Sequence, residues 1–102
     1  MALVNMKTVY VELMYHLKRC PLGGGIELMS YKRNRTIAII KEGFDIVRII
    51  ENGYMVKEWC VSFDELEKQL KKPIKKEFPR SRKIRLFKFD DPVELERIHQ
   101  KI

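Results

Sequence analysis

The dipeptide Asn52-Gly53 stands between an Ile-rich run and an aromatic run. A type I′ turn needs positive φ at both central residues, so this pair is the strongest short-range signal for a β-hairpin. A two-residue turn fixes a register: Ile50 opposite Met55, Ile46 opposite Trp59 and Phe44 opposite Val61 on one side of the sheet, with Ile49 and Val56 on the other. Arg48 and Lys57 then lie opposite each other on the aromatic side. Like charges so placed repel unless an acidic group or a ligand lies between them.

The hairpin extends into a meander. From Ile26 to Val61 the chain alternates apolar runs with turn signals, Glu42-Gly43 and Arg33-Asn34 marking the two earlier turns. Upstream, Val9, Val11, Leu13 and Tyr15 alternate like a strand, while Met6, Tyr10, Leu13, Met14 and Leu17 fall at helical spacing. The expectation is a strand near Thr8–Glu12 and a short helix near Leu13–Arg19. Cys20-Pro21-Leu22-Gly23-Gly24-Gly25 is a loop by its proline and glycines. It lacks the Gly-Lys-Ser/Thr ending of a phosphate loop, and a strand-like run follows it.

Downstream, Ser62 caps a helix, Glu65 completes a capping box and Val61 staples to Leu66. Phe63, Leu66 and Leu70 form its apolar stripe, and Pro73 is expected to stop it by disfavouring the α region at Lys72. A basic connector, Ile74 to Arg82, leads to a strand in which Phe87 and Phe89 alternate with Leu86, implying burial on both faces. Asp91-Pro92-Val93-Glu94 reads as the start of a terminal helix that turns Leu95, Ile98 and Ile102 inward.

Two words repeat. Arg33-Asn34-Arg35-Thr36-Ile37-Ala38-Ile39-Ile40-Lys41 returns forty-seven residues later as Arg80-Ser81-Arg82-Lys83-Ile84-Arg85-Leu86-Phe87-Lys88. Weaker echoes at other offsets (Val47-Arg48-Ile49 against Glu96-Arg97-Ile98, Leu13…Leu17 against Leu66…Leu70) allow two related motifs, about 1–50 and 51–102, each a strand, short helix, strand unit. The expected fold is thus a single α+β domain: a small, mostly antiparallel sheet with two or three short helices and pseudo-two-fold related halves.

At 102 residues such a domain buries roughly two-thirds of its unfolded surface, enough for a core without staples. Cys20 and Cys60 form no zinc-ligand pattern and read as small core residues, with a disulfide between them left open. No apolar run reaches membrane-spanning length and no secretion signal is present, which points to an intracellular protein that is not secreted. The formal charge of +7 favours acidic partners or polyanions.

No catalytic, metal or cofactor motif emerges. His16 and Cys20 would share a helix face, but no third group orients them, and a partly buried pair is the commoner arrangement. Glu94 and Glu96 point to different sides of a helix. The expectation is a non-enzymatic protein or peptide interaction module, holding a partner segment at the seam between the two motifs or at a sheet edge. Its contact residues would be Arg33, Arg35, Phe44, Arg48, Lys57, Trp59, Arg80 and Arg82, the aromatic and arginine composition of binding hot spots. Core filling is the competing reading for Phe44, Tyr54 and Trp59. The alternative function is nucleic-acid binding through Lys71, Lys72, Lys75, Lys76, Arg80, Arg82, Lys83 and Arg85, a basic run opposed only by Glu77. A monomer or a homodimer joined through an open edge is compatible with both.

The Lys/Ile/Glu-rich composition, the few amides and the two arginine words resemble the small orphan proteins of filamentous viruses of hyperthermophilic archaea, of the Acidianus filamentous virus type. That resemblance implies a role in the host cytoplasm during infection. It assigns no functional residue.

Overall fold

A computed structural model of the protein describes residues 2–30, 34–53, 55–78 and 82–91. Strand β1 (Ala2–Asn5) leads into helix α1 (Val9–Arg19), then four strands, β2 (Gly25–Met29), β3 (Thr36–Lys41), β4 (Ile46–Asn52) and β5 (Val56–Ser62). Helix α2 (Phe63–Glu77) and strand β6 (Lys83–Phe89) follow. The fold is α+β, with one antiparallel six-stranded sheet in the order β1-β6-β2-β3-β4-β5.

The ambiguous first segment is resolved as helix from Val9 onward, and the strand expected at Thr8–Glu12 does not form; the strand lies earlier, at β1. The reason is burial. Val9, Leu13 and Leu17, one turn apart, are all fully buried, whereas the strand reading would have used Val11 and Tyr15, which are 71% and 56% exposed. Each fully buried aliphatic side chain contributes about 1.5–3 kcal/mol, so three on one helical stripe outweigh an alternation that buries nothing.

Both helices pack on one face of the sheet. Their apolar stripes meet Ile26 and Leu28 of β2, Ile37 and Ile39 of β3, Val47 and Ile49 of β4, and Ile84 and Leu86 of β6 in a continuous core. The other face is buried in its centre too, at Glu27, Met29, Thr36, Ala38, Ile40 and Phe89. Phe87 and Phe89 stack on that second face, with ring centroids 6.2 Å apart. The expected two-sided burial of β6 is thereby observed.

Two stretches of the chain run strand, helix, strand, β1-α1-β2 and β5-α2-β6, and they interlock. β6 lies between β1 and β2, antiparallel to both, so β1 and β2 run parallel. The repeated words do not meet at a seam: β3 and β6 flank β2 on opposite sides. Ile37 and Leu86 share Leu28 as partner, a register two residues away from the sequence repeat. Arg33 and Arg80, like the terminal helix expected after Asp91, lie outside the described residues.

The central hairpin forms with a different register. Pairing ends at Asn52 with Val56, leaving residues 53–55 in the connection, so Ile49 pairs with Trp59, Arg48 with Cys60 and Glu51 with Lys57. Gly53 does not have positive φ, as a type I′ turn would require. Its missing side chain serves closeness instead, because a Cβ there would lie 2.7 Å from the carboxyl carbon of Glu77. The pairing differs from expectation by an odd number of residues, and an odd slip sends side chains to the opposite face relative to their cross-strand partners. Arg48 therefore does not oppose Lys57. It sits on the far face and pairs with Glu42 and Glu58.

Ser62 occupies the N-cap of α2 in extended conformation, as expected, although its side chain makes no capping hydrogen bond. Leu66 and Leu70 are fully buried beneath this helix, with Phe63 half-buried against the core. Pro73 does not stop α2, which runs four residues further. A proline in a helix interior costs about 3 kcal/mol. Carrying the helix past it buries Ile74 and then Phe78 to 4% and 3% exposure, worth roughly 1.5–3 kcal/mol each, and the balance favours continuation.

The glycine loop shows two different uses. Gly23 alone has positive φ, 88°. Gly25 is instead needed for space, since a Cβ on it would come within 2.9 Å of the Ile39 carbonyl carbon in the neighbouring strand. Gly25→Ala is expected to destabilise the protein by about 2–4 kcal/mol in urea unfolding, by forcing β2 and β3 apart.

Candidate functional site

β5 is an outer strand of the sheet, and its backbone presents a ladder with no strand beyond it among the described residues. Phe63 N–H donates to Asp45 C=O, and Gly53 N–H to Met55 C=O, which places the odd-numbered residues of this hairpin in the hydrogen-bonded pairs. The N–H and C=O groups of Lys57, Trp59 and Val61 therefore point to β4, and those of Val56, Glu58 and Cys60 point outward. Side chains alternate independently: Lys57, Trp59 and Val61 lie on the helix side, with Val56, Glu58 and Cys60 on the other.

Between this edge and α2 runs a groove of about 320 Å³ lined by Glu51, Met55, Lys57, Trp59, Lys68, Gln69, Lys72, Pro73 and Lys76. Trp59 forms its wall, half-buried against the core, with the Lys57 ammonium 4.9 Å from the ring centroid. Lys68, Lys72 and Lys76 recur every fourth residue of α2, so they form one row at about 6 Å intervals along the opposite lip. The proline expected to break the helix carries this row onward and lines the groove.

The polar residues at the groove's end are deeply buried. Glu51 is 3% and Glu77 1% exposed. Glu77, the last residue of α2, receives the Met55 N–H on Oε2 at 3.4 Å, and its carbonyl oxygen accepts Arg35 Nη1 at 3.3 Å. The Arg35 guanidinium thus meets the negative end of the helix. Oε2 of Glu51 is buried without a hydrogen-bond partner. Burial, followed by the hydrogen bond and charge of Glu77, raises the Glu51 carboxyl to about 7, against smaller opposing effects of Lys76 and Lys57.

The contact residues expected from sequence do not form one surface. Lys57 and Trp59 are in this groove, and Arg35 braces its end. Arg48 lies on the far face. Phe44 is 98% exposed at the β3–β4 turn, not packed into the sheet, because the shifted register removes it from the strand. Arg82 is exposed before β6 and its carbonyl oxygen accepts Met6 N–H at 2.8 Å. Arg33, Tyr54 and Arg80 lie outside the described residues.

The basic run divides as well. Lys71, Lys72, Lys75 and Lys76 are exposed on α2, of which only Lys72 and Lys76 line the groove. Lys83 and Arg85 belong to the sheet face opposite the helices.

A second cleft separates α1, from the first half of the chain, and α2, from the second. Tyr10, Met14, Lys18, Phe63 and Asp64 line it, in about 560 Å³. Its apolar walls pack against the core. His16 and Cys20 do not contribute: the Cys20 thiol is buried, points at Leu17 C=O, and is pushed up in pKa chiefly by burial, opposite to a reactive thiolate. Both cysteines are free, Cys60 being exposed on β5.

Sequence reasoning missed Glu51, Glu77, Lys68 and Gln69. A signal for Glu51 was present, since it continues the period of Val47 and Ile49. Ile46 and Ile50 on the other parity hid which side was inward. No helix among the described residues is long and apolar enough to cross a membrane. Known family models, curated proteins and solved structures were compared with the chain, and none matches.

Because Glu51 holds its proton more tightly folded than unfolded, it has no effect on stability well below its unfolded value of 4.5. The fold loses stability as pH rises from there through about 7, by at most about 3 kcal/mol. Glu51→Gln is expected to melt higher than the native protein at pH 8 and alike at pH 4, in thermal scans monitored by circular dichroism.

Proposed function

We propose that the protein is a non-enzymatic interaction module that receives an extended peptide segment of a partner by strand addition to the outer edge of β5. The observation that carries this reading is the coincidence of a seven-residue edge, with no strand beyond it among the described residues, and the Trp59 groove alongside it. Main-chain hydrogen bonds to Val56, Glu58 and Cys60 supply affinity in this mode, and alternate side chains of the guest supply specificity by entering the groove. The opposite edge, β1, has only four residues. Lys57 and Glu58 on β5 are the kind of charges that keep an exposed edge from pairing indiscriminately.

Nucleic-acid binding is the second reading, and one observation favours it: a lysine row facing an aromatic wall is also the layout of single-strand grooves. Peptide binding is preferred because it uses the outward backbone groups of β5 as well as the groove.

The capped heptapeptide VEVRVEV is a suitable probe, since Trp59 is the sole tryptophan and reports the groove directly. Saturable change in its fluorescence is expected, weakened about tenfold or more by Glu58→Pro, which removes an outward N–H and leaves the β4 ladder whole. Indifference to that substitution would remove the strand-addition reading. Oligothymidine binding in its place, collapsing between low and moderate salt, would favour the nucleic-acid reading.

A further inference from the structure

We infer that the Glu51–Glu77 end of the β5–α2 groove is a subsite for a guanidinium or ammonium side chain of the partner segment, taken up with release of a proton. This rests on the peptide-binding reading and specifies its guest.

Three observations converge. Glu51 lines the groove while being almost fully buried, and its Oε2 lacks any hydrogen-bond partner. A buried carboxyl oxygen without a donor carries a desolvation cost that a charged donor from outside would relieve. Second, the path to it runs along Trp59, against whose ring the aliphatic stem of an arginine or lysine packs while the head reaches inward. Third, the lip carries Lys68, Lys72 and Lys76 in a row. A guest with basic residues alone would be repelled there, and one with acidic residues alone would leave Glu51 Oε2 without a donor.

The two requirements fit one pattern, acid–x–basic–x–acid. Alternate side chains of an added strand point the same way at roughly 6.6–7 Å spacing, close to the roughly 6 Å between lysines four apart on a helix. The central basic side chain would enter the groove and its acidic neighbours would meet the lysines.

The charges facing Glu51 set the proton balance. Glu77 and Lys76 approach it from α2 and Lys57 from β5, while Arg35, just ahead of β3, contacts the backbone of Glu77. With burial and Glu77 dominant, the empty site holds a proton near neutrality. An arriving cation favours the ionised carboxylate, so the proton leaves to solvent as the ion pair forms. Half-ionisation near pH 7 leaves about one tenth of the empty sites ionised at pH 6 and about nine tenths at pH 8, so affinity should rise about tenfold across that interval.

Two probes separate this subsite from the strand-addition reading. Capped arginine (N-acetyl-arginine N-methylamide) and its norleucine counterpart, too short to pair with β5, are titrated at millimolar concentration while the Trp59 indole N–H is followed by NMR. Capped arginine should shift that resonance more strongly at pH 8 than at pH 6, and Glu51→Gln should abolish the pH dependence. Equal responses to arginine and norleucine, or a response independent of pH, would overturn the subsite.

The heptapeptides VEVRVEV and VEV-norleucine-VEV are then compared by calorimetry at pH 6 in phosphate and in a buffer of high ionisation enthalpy. The arginine peptide should bind about tenfold tighter and release close to one proton. Equal affinity without proton release sinks the subsite while leaving edge binding intact. Capped arginine responding as expected, with neither heptapeptide sensitive to Glu58→Pro, sinks edge binding and keeps the subsite.

Discussion

The contact between the end of α2 and the β4–β5 hairpin governs the rest of this structure. Glu77 occupies the space beside Gly53, receives the Met55 N–H, and lies against Glu51, while Arg35 ties the last turn of the helix to β3. With the helix end seated there, the hairpin closes through three residues and not two. Register parity then does everything else. It turns Lys57 and Trp59 toward α2, sends Arg48 to the far face, and releases Phe44 to solvent. The groove exists because of that parity.

The same junction concentrates unfavourable electrostatics. Two carboxyl groups buried together cannot both ionise cheaply, so the site keeps a proton near neutral pH. Nothing in the apolar core demands acids at these positions, since Ile37, Ile49 and Ile74 nearby show that aliphatic residues fit the same layers. That cost falls at the end of the groove lined by the sole tryptophan, and it is the feature on which the proposed binding role rests.

Topology adds a second constraint. Inserting β6 between β1 and β2 makes the last described strand central and leaves β5, from the middle of the chain, at the outer edge. α2 then runs from β5 across β4 and β3 toward the position of β6. A helix of that reach needs its full fifteen residues, which is why Pro73 is accommodated and Ile74 and Phe78 are buried beyond it.

The sequence by itself determined the α+β class, the antiparallel meander of β2 to β5, the start of α2 at Ser62 and its apolar stripe. These follow from local signals, periodicity and capping, that no distant contact reversed. It also singled out Trp59 and Lys57, through composition, and both line the groove. Only the tertiary structure decided the hairpin register, the continuation through Pro73, the dispersal of the basic run over two faces, and the meeting of Glu51 with Glu77. Each of those depends on contacts between residues more than twenty apart. The Asn52-Gly53 signal was strong locally, but a turn preference of about 1 kcal/mol yields when a helix end, the buried Val47 and Ile49, the half-buried Trp59 and Val61, and a buried carboxyl all settle on the other register.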